Sequence, residues 1–112
     1  MDENEVEKVC QMALDKFGED KQFDMAIEEM SELIKCLVKY RRYNKNSVWR
    51  LKTVEEMMDV TIMIMQLSML LSTEEEMERV MENKVNNLKA IIENDDPERG
   101  LKKKNEPSWY DK

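Results

Sequence analysis

Residues 57–71 run Met57-Met58-Asp59-Val60-Thr61-Ile62-Met63-Ile64-Met65-Gln66-Leu67-Ser68-Met69-Leu70-Leu71, and what this stretch can be decides the fold. Only Asp59, Thr61, Gln66 and Ser68 are polar, so a helix here is apolar nearly all round. Such a helix is expected at the centre of a helical assembly, covered on every side. At about fifteen residues, with a carboxylate inside it, the stretch is too short and too polar to span a membrane. Asp59 is the anomaly. A carboxylate enclosed by apolar side chains and left without a partner is costly and tends to stay protonated.

Outward from this stretch, the apolar spacing predicts three more helices. Asp2 with Glu5 three positions on forms a capping box for a first helix. Its apolar positions are Val6, Val9, Cys10, Ala13 and Phe17, and Gly18 is its stop. A second helix is expected from about Asp20 to about Arg41, with a buried stripe of Phe23, Ile27, Met30, Ile34 and Leu37. Residues 42–47 lack periodicity and read as a loop. The third helix then begins near Trp49 or Thr53 and ends at Leu71. Thr73 with Glu76 opens a fourth, reaching about Asn94 and burying Met77, Val80, Met81, Val85, Leu88, Ile91 and Ile92. From Asp96 onward Pro97, Gly100, Pro107 and the run Lys102–Lys104 break any pattern. Residues 96–112 are therefore expected to be a tail, mobile or docked on a neighbour through Trp109 and Tyr110.

The reading is thus an all-α, four-helix bundle-like domain over residues 1–95, short enough that its own core is modest. Four helices from so short a chain cover the third one poorly, which predicts a homodimer or homotetramer. The eleven methionines are read as irregular core filler. Histidine is absent, which removes Ser-His-Asp and Cys-His triads, HExxH zinc sites and the Glu-x-x-His di-iron motif. Cys10 and Cys36 lack metal spacing and read as small buried hydrophobes of a reducing compartment. An acidic opening fits no secretory signal, so a cytoplasmic location is expected. The formal charge of −7 argues against nucleic-acid or anionic-membrane partners.

Glu29 and Glu32 are three apart on the second helix, in line with Met25 and Cys36, not with the polar row Asp24, Glu28, Ser31, Lys35. Glu56 and Asp59 repeat the spacing on the third. The competing reading is ordinary helix-surface charge. Magnitudes separate the two: like charges about 4 Å apart repel by roughly 4 kcal/mol at an effective dielectric of 20. Four converging carboxylates would therefore consume a large part of a typical stability of about 5–15 kcal/mol. A hard dication removes that penalty, and Mg²⁺ is commonly held by a few carboxylates with water and substrate phosphates. Between Leu33 and Val54 no acidic residue occurs, whereas Lys35, Lys39, Arg41, Arg42, Lys45, Arg50 and Lys52 do. A metal beside a basic loop is what a polyphosphate needs, and Tyr40, Tyr43 and Trp49 lie in the same stretch to stack on a base.

At these residues the sequence resembles the MazG-like, all-α nucleoside triphosphate pyrophosphatase superfamily. The stretch Phe17-Gly18 … Gln22 … Ala26-Ile27-Glu28-Glu29-Met30-Ser31-Glu32-Leu33-Ile34 looks like its first motif, and Glu55-Glu56-Met57-Met58-Asp59-Val60 like its second. The 23 residues between Glu32 and Glu56 suit the variable connection of that ExxE … ExxD pattern. On the fourth helix Asn83-Lys84 … Asn87 … Lys89 is similar to a phosphate-contacting stretch of relatives, although those often carry arginines at Asn87 and Lys89. An Arg-Tyr-Pro-like ending is missing.

The resemblance implies Mg²⁺-dependent hydrolysis, with Mn²⁺ as the alternative metal, of an NTP or dNTP to the monophosphate and pyrophosphate. It implies Glu29, Glu32, Glu56 and Asp59 as metal ligands and Glu32, then Glu29, as the proton acceptor. Lys84, Asn87 and Asn83, with Lys39 of the basic loop, are the expected phosphate contacts. Phosphoribosyl-ATP pyrophosphohydrolases share the superfamily, but their second motif carries a histidine after the aspartate that this chain lacks. The rival expectation is a non-catalytic oligomerisation or regulatory module that binds nucleotide or metal without turnover.

Overall fold

A computed structural model describes residues 1–95, and the expected tail at 96–112 lies outside them. The described residues form four helices and no strand: α1 Glu3–Phe17, α2 Glu19–Arg42, α3 Ser47–Leu71 and α4 Glu74–Glu93. They fall into two compact units, one of residues 1–73 with α1 to α3, the other beginning at Glu74 with α4.

Local chemistry explains the helix ends. The Asp2 carboxylate accepts from the Glu5 backbone N–H at 2.8 Å, capping α1 as the spacing predicts. At the other end the Gly18 N–H donates to the Leu14 carbonyl at 3.0 Å. Gly18 has φ 88° and ψ 159°, a conformation essentially closed to L residues, and it serves both as the stop of α1 and the start of α2. The loop between α2 and α3 is shorter than expected. The Asn46 side chain accepts from the Trp49 N–H at 3.0 Å and starts α3 at Ser47, while Asn44 and Lys45 turn the chain at φ 57° and 56°. Lys39, Arg41 and Arg42 in the last turn of α2 complement the negative end of its dipole.

α2 and α3 are the main pairing of the first unit, and α1 packs on both. The pairing is antiparallel: Gln22, early on α2, donates to Gln66 late on α3 at 2.6 Å, and the Thr53 hydroxyl of early α3 reaches the carbonyl of Cys36 on late α2 at 3.4 Å. Covered or half-covered residues on α2 recur at Gln22, Ala26, Glu29, Leu33 and Cys36; on α3 they recur at Trp49, Thr53, Glu56, Val60, Met63 and Leu67. These alternating steps of four and three are the seam of a paired-helix interface. Cys10 and Leu14 of α1 are buried as well. Burial, and next the negative Glu7, push the Cys10 thiol up, so it stays protonated and packs as a small hydrophobe.

Three expectations about burial are corrected. The stripe expected inside α2 is not its buried face: Ile27, Ile34 and Leu37 are 63%, 62% and 45% exposed, and only Phe23 and Met30 are half-buried. α3 is covered only where α2 and α1 pack on it, leaving Val54, Met57, Met58, Ile62, Ile64 and Leu71 exposed. A three-helix unit cannot surround its most apolar member, and the seam was given to smaller and more polar side chains. α4 starts at Glu74 after Thr73 as predicted, but none of its residues is buried, its apolar face from Met77 to Ile92 included. No helix among the described residues is long and apolar enough to cross a membrane.

Gly18 offers a direct test of this account of the α1–α2 corner. A Cβ there meets nothing within 4 Å, so any loss on substitution comes from the backbone alone. Gly18→Ala is expected to lower stability by about 1–3 kcal/mol in urea unfolding, without changing helix content by circular dichroism.

Candidate metal centre

The seam carries two glutamates where apolar residues are the rule. Glu29 of α2 and Glu56 of α3 both occupy seam positions and are half-buried, and Asp59 stands one turn beyond Glu56 at the exposed edge. Antiparallel register brings the three together, since Glu29 lies seven residues beyond Gln22 and Asp59 seven before Gln66, whose side chains are bonded. One carboxylate oxygen from each of Glu29, Glu56 and Asp59 lies within 4.8 Å of the others. Oxygens on opposite sides of Mg²⁺ are roughly 4.2 Å apart at its usual bond length of about 2.1 Å. An adjacent pair on the ion is closer, at roughly 3.0 Å, so the three side chains must draw together to close on one ion.

The electrostatics of the cluster are unbalanced. Glu56 Oε2 is buried and has no hydrogen-bond partner, an arrangement that folded proteins rarely tolerate. Ionised carboxylates only accept, so Glu29 can satisfy Glu56 only by carrying a proton. Accordingly the Glu29 carboxyl is held above its ordinary range, first by burial, next by its hydrogen bond to Glu56, then by the negative charges of Asp59, Glu56 and Glu28. No lysine or arginine ion-pairs with the three among the described residues. A cation or a proton is needed there.

The remaining candidates are distributed differently. Glu32 is outside the three-carboxylate group: it lies next to the seam position Leu33, exposes 44% of its side chain, and accepts from Lys35 Nζ at 3.1 Å. Asp59, expected to be enclosed, is exposed, because α1 and α2 leave that edge of the apolar helix uncovered. Asn83, Lys84 and Asn87 lie on α4 in the second unit and are all exposed. Lys39 is at the α2–α3 corner, its Nζ 4.8 Å from the centre of the Trp49 ring. Lys52 Nζ sits at the same distance from that ring, and Tyr43 stacks on it at 6.1 Å between centroids and 18° between planes. The sequence offered Tyr43 and Trp49 for stacking on a base and Lys39 for phosphate, but not the association of Lys39, Lys52 and Tyr43 around Trp49. The signal for that association was the Trp49, Lys52 spacing of three. Comparison with known protein families, curated proteins and solved structures gives no match.

The raised Glu29 pKa fixes a sign. A folded-state pKa above the unfolded one contributes stability in full below the unfolded value, and that contribution is lost as pH rises through the folded value. Free of metal, the protein is expected to lose stability as pH climbs above the ordinary glutamate range. Glu29→Gln, which has no proton to lose, is expected to flatten that decline in urea unfolding measured across the range. A wild-type curve as flat as the variant's contradicts the assignment.

Proposed function

We propose that this chain is a metal-dependent nucleoside triphosphate pyrophosphohydrolase of the MazG-like type. The observation that carries the reading is the convergence of Glu29, Glu56 and Asp59 around an oxygen with no hydrogen-bond donor, at the positions where the sequence resembles the superfamily's acidic motifs. The donor set fits the group: three carboxylates with neither histidine nor thiolate nearby suit hard Mg²⁺ or Mn²⁺ and not softer metals.

In this reading Glu29, Glu56 and Asp59 hold the ion. The bound ion supplies polarisation of the α-phosphate and a more acidic attacking water. Glu32, outside the cluster and half-buried, accepts the proton of that water. The water oxygen bonds to the α-phosphorus, the bond from that phosphorus to the α,β-bridging oxygen breaks, and pyrophosphate leaves with its electron pair. The resemblance offers Lys84, Asn87 and Asn83 as phosphate contacts, and all three belong to the separate second unit. The apolar surfaces on α2, α3 and α4 support a homodimer or homotetramer, and a cytoplasmic location goes with the free thiols and the substrate.

The same exposed apolar surface is what favours the second reading, a non-catalytic helical oligomerisation or regulatory module. Pyrophosphate release from a panel of NTPs and dNTPs, with Mg²⁺ and with chelator, separates the two. The catalytic reading expects Mg²⁺-dependent release that falls by about 10²-fold or more in Asp59→Asn and in Glu32→Gln, both still folded. A wild-type protein silent across the panel would support the module.

A further inference from the structure

Charge is arranged with a direction along the α2–α3 hairpin. From Thr53 to Glu78 there is no basic residue, so on α3 the cations Arg50 and Lys52 stand only at the turn end. Lys52 is four residues before Glu56 and seven before Asp59, which puts it on the same face of α3 as those carboxylates, about one and two turns away. Lys39 is seven residues beyond Glu32 on α2 and meets Trp49 across the seam. The two lysines therefore belong to the flank of the hairpin that carries the acidic cluster. Toward the other end the seam is closed by Gln22 and Gln66, which are 5% and 4% exposed and bonded to each other.

Trp49 gathers the pair. Lys39 Nζ and Lys52 Nζ each lie 4.8 Å from one ring centre, so the two ammonium groups are less than 10 Å apart. Neither has a carboxylate partner among the described residues, whereas Lys35, the other lysine of this stretch near the cluster, is paired with Glu32. The ring's negative face offsets part of their mutual repulsion, and Tyr43 stacked on it fixes its plane. A base has little of the indole left to stack on. What the arrangement lacks is an anion, one with several oxygens, since two separate cations are held ready.

We propose that Lys39, Lys52 and Trp49 form the seat of the substrate's pyrophosphate end, so that the polyphosphate runs from the three carboxylates toward the α2–α3 turn. Lys52 stands one helical turn, about 5.4 Å, from Glu56, the scale of a triphosphate chain, which lets the reacting phosphate sit at the acidic cluster while the leaving group meets the two ammonium groups gathered at Trp49. The lysines bind the leaving group as point charges, and the tryptophan positions them. This rests on the catalytic reading above for the identity of the anion.

The test is calorimetric titration of the full chain with inorganic pyrophosphate in the presence of Mg²⁺. Lys39→Gln and Lys52→Gln are each expected to weaken binding about tenfold, and the double variant more. Lys16→Gln, which removes the same charge from a lysine lying against Phe17, is expected to bind as the wild type. Unchanged affinity in the double variant overturns the seat, as does an equal loss in Lys16→Gln or a wild type that binds no pyrophosphate. The two readings fail separately. Lysine-dependent pyrophosphate binding in a protein that hydrolyses no nucleotide supports the seat and removes the enzyme; nucleotide hydrolysis with full pyrophosphate affinity in the double variant removes the seat and spares the enzyme.

Discussion

Two glutamates facing each other across a helix–helix seam set the terms for the rest of the first unit. At Glu29 and Glu56 a packed pair of helices ordinarily places leucine or isoleucine, whose burial stabilises by about 1.5–3 kcal/mol per side chain. Here the positions hold like charges, with Asp59 adding a third at the edge. The pairing of α2 with α3 must therefore be held by what lies on either side. On one side are the Gln22–Gln66 hydrogen bond, Ala26, Val60 and Met63; on the other are Leu33, Cys36, Thr53 and the Tyr43–Trp49 corner. The hydrophobic contribution is small because so few large apolar residues are in the seam. The energetic compensation falls to whatever neutralises the carboxylates.

That constraint connects features that look unrelated one at a time. A buried glutamate oxygen without a donor, a neighbouring carboxyl held above its ordinary range, and the lack of basic residues from Thr53 to Glu78 all belong to one uncompensated acidic cluster. The positive charge of the hairpin is concentrated toward its turn, where Lys39 and Lys52 meet Trp49. The hairpin thus presents a dipolar flank, acidic in its middle and basic at its end. The metal–polyphosphate ligand proposed above has the complementary distribution, a cation for the carboxylates and phosphate oxygens for the lysines.

Much of this was legible in the residues. Asp2 with Glu5, Gly18, Leu71 and Thr73 mark helix ends through short-range chemistry, and short-range chemistry survives in sequence. The acidic spacings Glu29/Glu32 and Glu56/Asp59 put both pairs on adjoining helices. What could not be read was which member of each pair faces the seam. Spacing places Glu29 and Glu32 on one face, but their directions differ by about 60° at 100° per residue, and only the partner helix decides between them. The apolar stripe of α2 misled for the same reason: Ile27 and Ile34 have the stronger hydrophobic signal, yet the pairing uses Ala26 and Leu33 beside them. The start of α3 was missed because Asn46 acts as a cap only once Asn44 and Lys45 take left-handed conformations, which non-glycine residues do not announce.

The most direct measurement of the central claim compares the unfolding free energy of the wild type with that of Glu56→Gln, each in chelator and in saturating Mg²⁺. The amide keeps the shape, removes one charge and gives Glu29 a donor. If repulsion across the seam is real and a cation relieves it, the variant is the more stable protein in chelator, and the order reverses in Mg²⁺ because only the wild type gains. A wild type that is already the more stable in chelator, and unmoved by Mg²⁺, would contradict the account.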